Sequence, residues 1–170
     1  MLKELPHIAL PEKTKPKRGF RLERSQDIPS PPEDVFAYFA DARNLQVITP
    51  PFLHFRILTP LPIQLRRGAT LEYSLRLYGC PVYWQTLIET WEPCRRFVDV
   101  QQAGPYRRWH HTHEFTAISG GTRMVDVVEY EIAWGPFGAL AQKLFVAQAL
   151  DRIFDYRRDV VAKIFSAMEV

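Results

Sequence analysis

The 170-residue chain is poor in cysteine, in long apolar runs and in net charge. Cysteine occurs only at Cys80 and Cys94, with no CxxC pair and no histidine at zinc-ligand spacing. This excludes a disulfide framework and a structural zinc knuckle, and the expectation is two buried or half-buried reduced thiols. No apolar stretch approaches the roughly 18 residues that a spanning helix needs. The opening MLKELPHIALPEK lacks the apolar centre of a secretion signal. A cytoplasmic protein without integral membrane association is therefore expected. The 22 Lys and Arg against 19 Asp and Glu leave a charge of +3, too slight an excess to argue for nucleic acid as a partner. There is also no P-loop, dinucleotide fingerprint, nucleophile elbow or metalloprotease helix, so no cofactor is expected.

What remains is an ordinary globular composition, 46% hydrophobic with 13% aromatic residues. A chain of this length suits one domain that buries roughly 70% of its unfolded surface. Residues 1–18 stand apart: Lys3, Lys13, Lys15, Lys17 and Arg18 alternate with Pro6, Pro11 and Pro16, the pattern of an extended basic arm. Residues 19–170 form the expected domain. A strand over 20–28 leads to Pro31–Pro32, where Ser30 is expected to cap a helix burying Val35, Phe36 and Phe39. A second short helix over 41–48, capped by Asp41, stops at Pro50–Pro51. Strands are then expected at 52–59, 69–78, 82–92, 95–103, 106–118 and 122–134, joined by turns at Gly79, Gly104–Pro105 and Gly120–Gly121. Short connections make neighbouring strands antiparallel. From about Gly138 to Ala167 the apolar period becomes helical, through Val146, Leu150, Ile153, Val160, Val161 and Ile164, with Leu144, Phe154 and Phe165 beside them. The wide stripe of such a helix needs the sheet to cover it. The fold class is α+β: six to seven curved antiparallel strands around one long C-terminal helix, with two short helices after the first strand.

Three strings add to this order: NLQVITPP at 44–51, FVDVQQAGPYRRWHHTHEF at 97–115 and GTRMVDVVEYEIAWGPFG at 121–138. With them the chain resembles the SRPBCC superfamily, the helix-grip fold of START lipid-transfer domains, pollen-allergen-like proteins and polyketide cyclases. It is most similar to a bacterial subgroup of stand-alone cyclase/dehydrase-like or ligand-binding members. The resemblance covers about residues 20–168. It implies a cavity between sheet and helix, and it leaves the chemistry to the site, because the superfamily holds enzymes, carriers and sensors.

Register arithmetic places the candidate site. A loop at Gly104-Pro105-Tyr106 sets Asp99 opposite His111, Gln101 opposite Trp109 and Phe97 opposite His113. A two-residue turn at Gly120–Gly121 sets His111 opposite Tyr130 and His113 opposite Val128. Alternation then puts Phe97, Asp99, Gln101, Trp109, His111, His113, Phe115, Asp126 and Tyr130 on the concave face, and Arg96, Arg108, His110, Glu114 and Arg123 on the wet one. Buried polar groups must pair with one another, with water or with a ligand.

Three readings of that row follow. It is a structural network, Asp99–His111–Tyr130; or it presents a few donors and acceptors to a small apolar ligand held by Tyr73, Trp84, Phe97, Gln101, Trp109, His113, Phe115, Asp126 and Tyr130; or it is chemical, with His111 and Asp99 as acid and base of a cyclase or dehydratase. His111-x-His113 supplies only two metal ligands, so no metal is expected. The expected function is binding of a small, largely apolar molecule, aromatic, polyketide-like or lipid-like, by a carrier or sensor; the enzyme is the alternative, and an interaction module with a closed core a further one. No feature specifies an oligomeric state. Trp84 and Trp91 lie at opposite parity on one strand, so only a bulge admits both to the interior, and Trp84 is the expected occupant. Arg157, on the apolar stripe of the last helix, either reaches a carboxylate of the cavity or snorkels at its mouth, and snorkelling is the expectation. Segment 44–51 is expected at the cavity rim, and Phe52 beside it to pack.

Overall fold

The computed structural model describes residues 19–132 and 145–167. β1 (Phe20–Ile28) is followed by α1 (Pro32–Ala40), α2 (Ala42–Val47), a 3-10 turn (Pro51–Leu53) and the short β2 (Arg56–Ile57). Longer elements complete it: β3 (Thr70–Leu77), β4 (Cys80–Glu92), β5 (Arg96–Ala103), β6 (Tyr106–Ile118) and β7 (Gly121–Ile132), and then the helix α3 (Ala147–Ala167). The strands form one antiparallel sheet in the order β1-β7-β6-β5-β4-β3-β2. This is the helix-grip α+β arrangement, in which α3 lies along the concave face. The basic arm at 1–18, the expected helix start near Gly138 and Met168 lie outside the described residues.

Local chemistry explains the departures from the sequence pattern. Ser30 does not cap α1: Pro31 occupies the cap position without a side-chain bond, and Pro32 follows it. Proline at the first helical position has no N–H to satisfy, and the carbonyl of Pro31 already takes the amides of Asp34 and Val35, so a hydroxyl cap has less to do. Asp41 caps α2 as expected, its carboxylate accepting from the Arg43 amide at 2.9 Å. The strand expected at 52–59 shrinks to Arg56–Ile57, because Pro51 opens a 3-10 turn and His54 then takes a left-handed backbone, φ 45°. The β3–β4 turn is Tyr78–Gly79, both at positive φ, so β4 already begins at Cys80 and includes Pro81. Cys80 is exposed there rather than buried, and Cys94 is half-buried.

The β6–β7 register is the informative correction. The turn is Ser119–Gly120, with Ile118 paired to Gly121, so His111 faces Val128 and His113 faces Asp126. Gly121 is already in the strand, and a Cβ there would stand 2.1 Å from the Ile28 carbonyl oxygen, so the position requires glycine. Each partner moves by two residues, and a two-residue slip keeps every side chain on its face. The concave face is therefore as expected, while the partners across it change. The β5–β6 register, by contrast, pairs Asp99 with His111 and Phe97 with His113.

Between Ile88 and Thr90, β4 carries a register shift. The extra residue, Glu89, reverses parity, so Trp84 and Trp91 both turn inward. Trp91 packs edge-on against Phe36 of α1, with centroids 5.0 Å apart, at the closed end of the core. That end is dense: Phe36, Phe39, Phe97, Phe115, Val161 and Phe165 pack together there. The helix is also tied to the β1 edge through the Arg24–Asp151 ion pair and a bond from Gln26 Nε2 to the Arg158 carbonyl at 3.0 Å. Held at the β1 side and at the α1 end, α3 stands off the β3–β5 half of the sheet.

Candidate functional site

That stand-off leaves a cavity of about 170 Å³. Its walls are Leu71, Tyr73 and Leu75 from β3, Trp84, Thr86 and Ile88 from β4, Phe97 and Asp99 from β5, and Trp109, His111 and His113 from β6. Leu150, Ile153, Phe154 and Arg157 of α3 close it from above, and Asn44, Leu45, Ile48 and Thr49 of α2 and its exit close one end. Phe52 lies outside this wall, exposed, with the Arg152 guanidinium 4.7 Å above its ring. The interior is thus neither solid nor polar throughout. Trp84 stacks on Tyr73 at 5.9 Å and meets Trp109 edge-on at 5.2 Å, which gives the cavity an aromatic floor.

Of the residues singled out in the sequence, Tyr73, Trp84, Phe97, Asp99, Trp109, His111 and His113 line this space. Gln101 does not. Its side chain braces the β5–β6 turn, donating from Nε2 to the Tyr106 carbonyl at 2.7 Å and accepting the Tyr106 amide at 3.3 Å. Phe115 is in the closed core against Phe36, centroids 5.3 Å apart. Tyr130 packs with Phe20 and Tyr106 rather than beside His111, as the register slip requires. Asp126 borders a smaller cavity of about 70 Å³ on the β1 side, where Phe39, Phe154 and Arg157 form the wall between the two spaces.

At that wall the polar residues gather into one closed group. Asp99 Oδ2 lies 3.0 Å from His113 Nε2 and 3.3 Å from His111 Nδ1. Asp126 Oδ1 lies 3.0 Å from His111 Nε2 and 2.7 Å from His113 Nδ1. Each imidazole is therefore held between both carboxylates, and the two rings stand 3.8 Å apart. Ionised carboxylates only accept, so His113 Nε2 donates to Asp99 and His111 Nε2 donates to Asp126. His113 Nδ1 is close to Asp126 but off the line of an N–H bond, so that approach is a charge contact. A stacked Phe97, 4.1 Å from the His113 ring, and Phe154, 5.6 Å from His111, seal the group.

The four groups drive one another apart in acidity. Burial alone would raise both carboxyls, but the imidazole charges and hydrogen bonds, joined at Asp99 by the charge of Arg157, hold Asp99 and Asp126 below the usual carboxylate range. Burial pushes His111 down, and the neighbouring His113 pushes it further. Burial acts on His113 in the same direction, yet the charge and bonds of Asp126 and Asp99 lift it above the ordinary imidazole value. The carboxylates are thus favoured in their ionised form, and of the two imidazoles His113 holds its proton more strongly than His111. With its proton on Nε2, His111 has its Nδ1 3.3 Å from Asp99 Oδ2, a close approach without a hydrogen bond.

Asp99, His111 and His113 also present one ligand atom each within 4.8 Å of one another. That spacing fits a metal ion, but all four ring nitrogens already face carboxylate oxygens, so the donor set closes on itself without one.

Arg157 is the residue that sequence reasoning misplaced. It does not snorkel: its side chain is only 11% exposed, and its guanidinium sits 4.9 Å from the Phe154 ring. Its Nη1 is 3.9 Å from Asp126 Oδ1, too far for a hydrogen bond. The signal was present in the spacing. Leu150, Phe154, Val161 and Phe165 are the buried residues of α3, and position 157 falls in the same row.

A sheet gripping a helix over a cavity with a buried ionic end defines a helix-grip domain of the binding or cyclising kind. The chain belongs to the polyketide cyclase / dehydrase and lipid transport family, whose model matches residues 19–163. No curated protein matches the sequence. Among solved structures it is similar to protein TTHA0849 of Thermus thermophilus, with 22% identity over 88% of this chain and 99% of that one, TM-score 0.68. A START superfamily protein from Mycobacterium smegmatis is 12% identical over 85% and 98% of the two chains, TM-score 0.64. A nucleoside-diphosphate sugar epimerase from Corynebacterium glutamicum matches with 25% identity over 84% of this chain and 28% of its own, TM-score 0.59, so the fold there is one part of a larger enzyme. No helix among the described residues is long and apolar enough to cross a membrane.

Proposed function

We propose that the protein is a cytoplasmic carrier or sensor that holds a small, largely apolar molecule between the sheet and α3. The observation that carries this is the cavity itself: about 170 Å³ of space, walled mainly by aromatic and aliphatic side chains, with a small set of polar groups that includes Asn44, Thr86, Asp99, His111, His113 and Arg157. Ligand sites have this composition, and an apolar cavity of roughly 150 Å³ is enough to admit benzene. Tyr73, Trp84, Phe97 and Trp109 grip the apolar body, and His111, His113 and Asp99 meet its polar end. Asp126 acts from behind, by orienting the two imidazoles. Native mass spectrometry of the protein as purified tests the reading, since a retained small molecule is expected. Screening by thermal shift supplies the second arm, because a ligand that binds only the folded state raises the melting point. A protein that retains nothing and responds to no apolar compound refutes the reading.

One observation favours a second reading, a cyclase or dehydratase. The paired imidazoles have acidities pushed in opposite directions, the usual mark of a split between base and acid. In this reading His111, oriented by the bond from its Nε2–H to Asp126, takes a proton from an acidic C–H or O–H of the substrate, and His113 holds one to return. Once a substrate is in hand, His111→Ala and Asp99→Asn are expected to lower kcat by two or more orders of magnitude. Full activity in both variants removes the enzyme reading and leaves the carrier.

A further inference from the structure

Arg157 is buried in a way that the His/Asp group does not explain. Among the described residues its one ion-pair contact is the 3.9 Å approach to Asp126, and its Nε and Nη1 are enclosed without a hydrogen-bond partner. Asp126 directs its bonded oxygen to His111, so the guanidinium is not the ion that Asp126 serves first. Buried donors left unpaired are rare and costly, and a guanidinium is costlier than an amide. The face of the guanidinium is held by Phe154, 4.9 Å away, and the side chain forms part of the main cavity wall beside Asp99 and His111. The guanidinium is therefore largely buried and borders the ligand space.

We infer that Arg157 receives a carboxylate, so that the ligand is an amphiphilic acid with an apolar body of one or two rings, or a short branched chain, and one anionic end. This rests on the ligand-binding reading above and narrows its chemistry. Three features select an anion over a neutral oxygen. The guanidinium offers five N–H groups in a plane, and a carboxylate takes two of them at once on either edge. A guanidinium keeps its charge at every relevant pH, whereas the imidazoles do not. Arg157 Nε and Nη1 are buried without a hydrogen-bond partner, so donors on this guanidinium stand unused beside the ligand space.

The test compares compounds of one shape. Calorimetric titration of the full chain with 4-ethylbenzoate, with its neutral isostere 4-ethylacetophenone and with ethylbenzene separates charge from bulk. The acid is expected to bind at least tenfold tighter than the ketone. In Arg157→Gln the acid loses that advantage while the ketone keeps its affinity within about threefold. Equal affinity of acid and ketone for the wild-type protein overturns the proposal and leaves the apolar cavity reading intact. If none of the three compounds binds, the cavity reading falls and this proposal with it. The wild-type comparison needs no variant, so a failure of Arg157→Gln to fold does not rescue the proposal.

Discussion

Replacing Asp126 by Asn probes the buried ionic group most directly. In the wild type, Asp126 Oδ1 lies 3.0 Å from His111 Nε2, 2.7 Å from His113 Nδ1 and 3.9 Å from Arg157 Nη1, with the aspartate side chain 10% exposed. Asparagine keeps the size and removes the charge, leaving the imidazolium and the guanidinium facing one carboxylate. Breaking a buried ion pair from one side costs about 3–5 kcal/mol. Of a total stability of roughly 5–15 kcal/mol this is a large share, and it corresponds to about 6–20 °C in melting temperature for a chain of this size. The loss has a ceiling, because His113 can discard its proton. A histidine whose folded pKa is raised contributes stability that is complete below its unfolded pKa of about 6.5 and vanishes as pH rises through the folded pKa. The deficit of Asp126→Asn is therefore greatest near pH 6 and shrinks toward pH 9. Urea denaturation of both proteins at the two pH values, followed by tryptophan fluorescence, measures it. A deficit of the same size at both, or none at either, refutes the ionic account of the cluster.

Three further outcomes follow from the fold. Phe36→Ala, at the meeting point of Trp91, Phe97 and Phe115, is expected to cost about 3–5 kcal/mol in urea denaturation, the usual range for emptying a buried phenylalanine site. Gly121→Ala places a methyl 2.1 Å from the Ile28 carbonyl oxygen, a backbone atom that cannot swing away, so soluble expression of the variant is expected to collapse. Asp27→Asn breaks an ion pair with Arg123 in which both side chains are 52% exposed, and no change in denaturation midpoint is expected at physiological salt.

The face of each long strand was legible because alternation is robust to the error that turns introduce. Moving the β6–β7 turn from Gly120–Gly121 to Ser119–Gly120 left His111, His113 and Asp126 facing inward, since the slip is two residues. It exchanged Tyr130 for Asp126 as the group that completes the network. Both turns offer glycine, and in the observed one Gly121 lies against the backbone of Ile28, close in space and distant along the chain. The same holds at β4. The parity conflict between Trp84 and Trp91 left Trp84 as the expected interior residue, and the bulge at Glu89 that admits both seats the second ring against Phe36 of α1.

Arg157 shows why a charged residue in an apolar stripe is read wrongly from spacing alone. Snorkelling requires a route to water along the helix, and it works near helix ends. Position 157 is the midpoint of Ala147–Ala167, so about 15 Å of helix separates it from either end at 1.5 Å per residue. An extended arginine spans less than half that distance. Phe154 and Val161 are buried on either side of it in the same row, and the sheet lies opposite. With the axial routes closed, the guanidinium stays at the wall between the two cavities, where Asp126 answers its charge at a distance that leaves its donors unused. An arginine at the centre of a gripped helix is thus a feature of the ligand space, and a swap to leucine there tests this. Packing would improve and the ionic group would lose one cation, so Arg157→Leu is expected to raise apolar-ligand affinity while removing any preference for acids. A preference for acids that survives in Arg157→Leu, read in the same calorimetric comparison of acid and ketone, would place the anion elsewhere in the cavity.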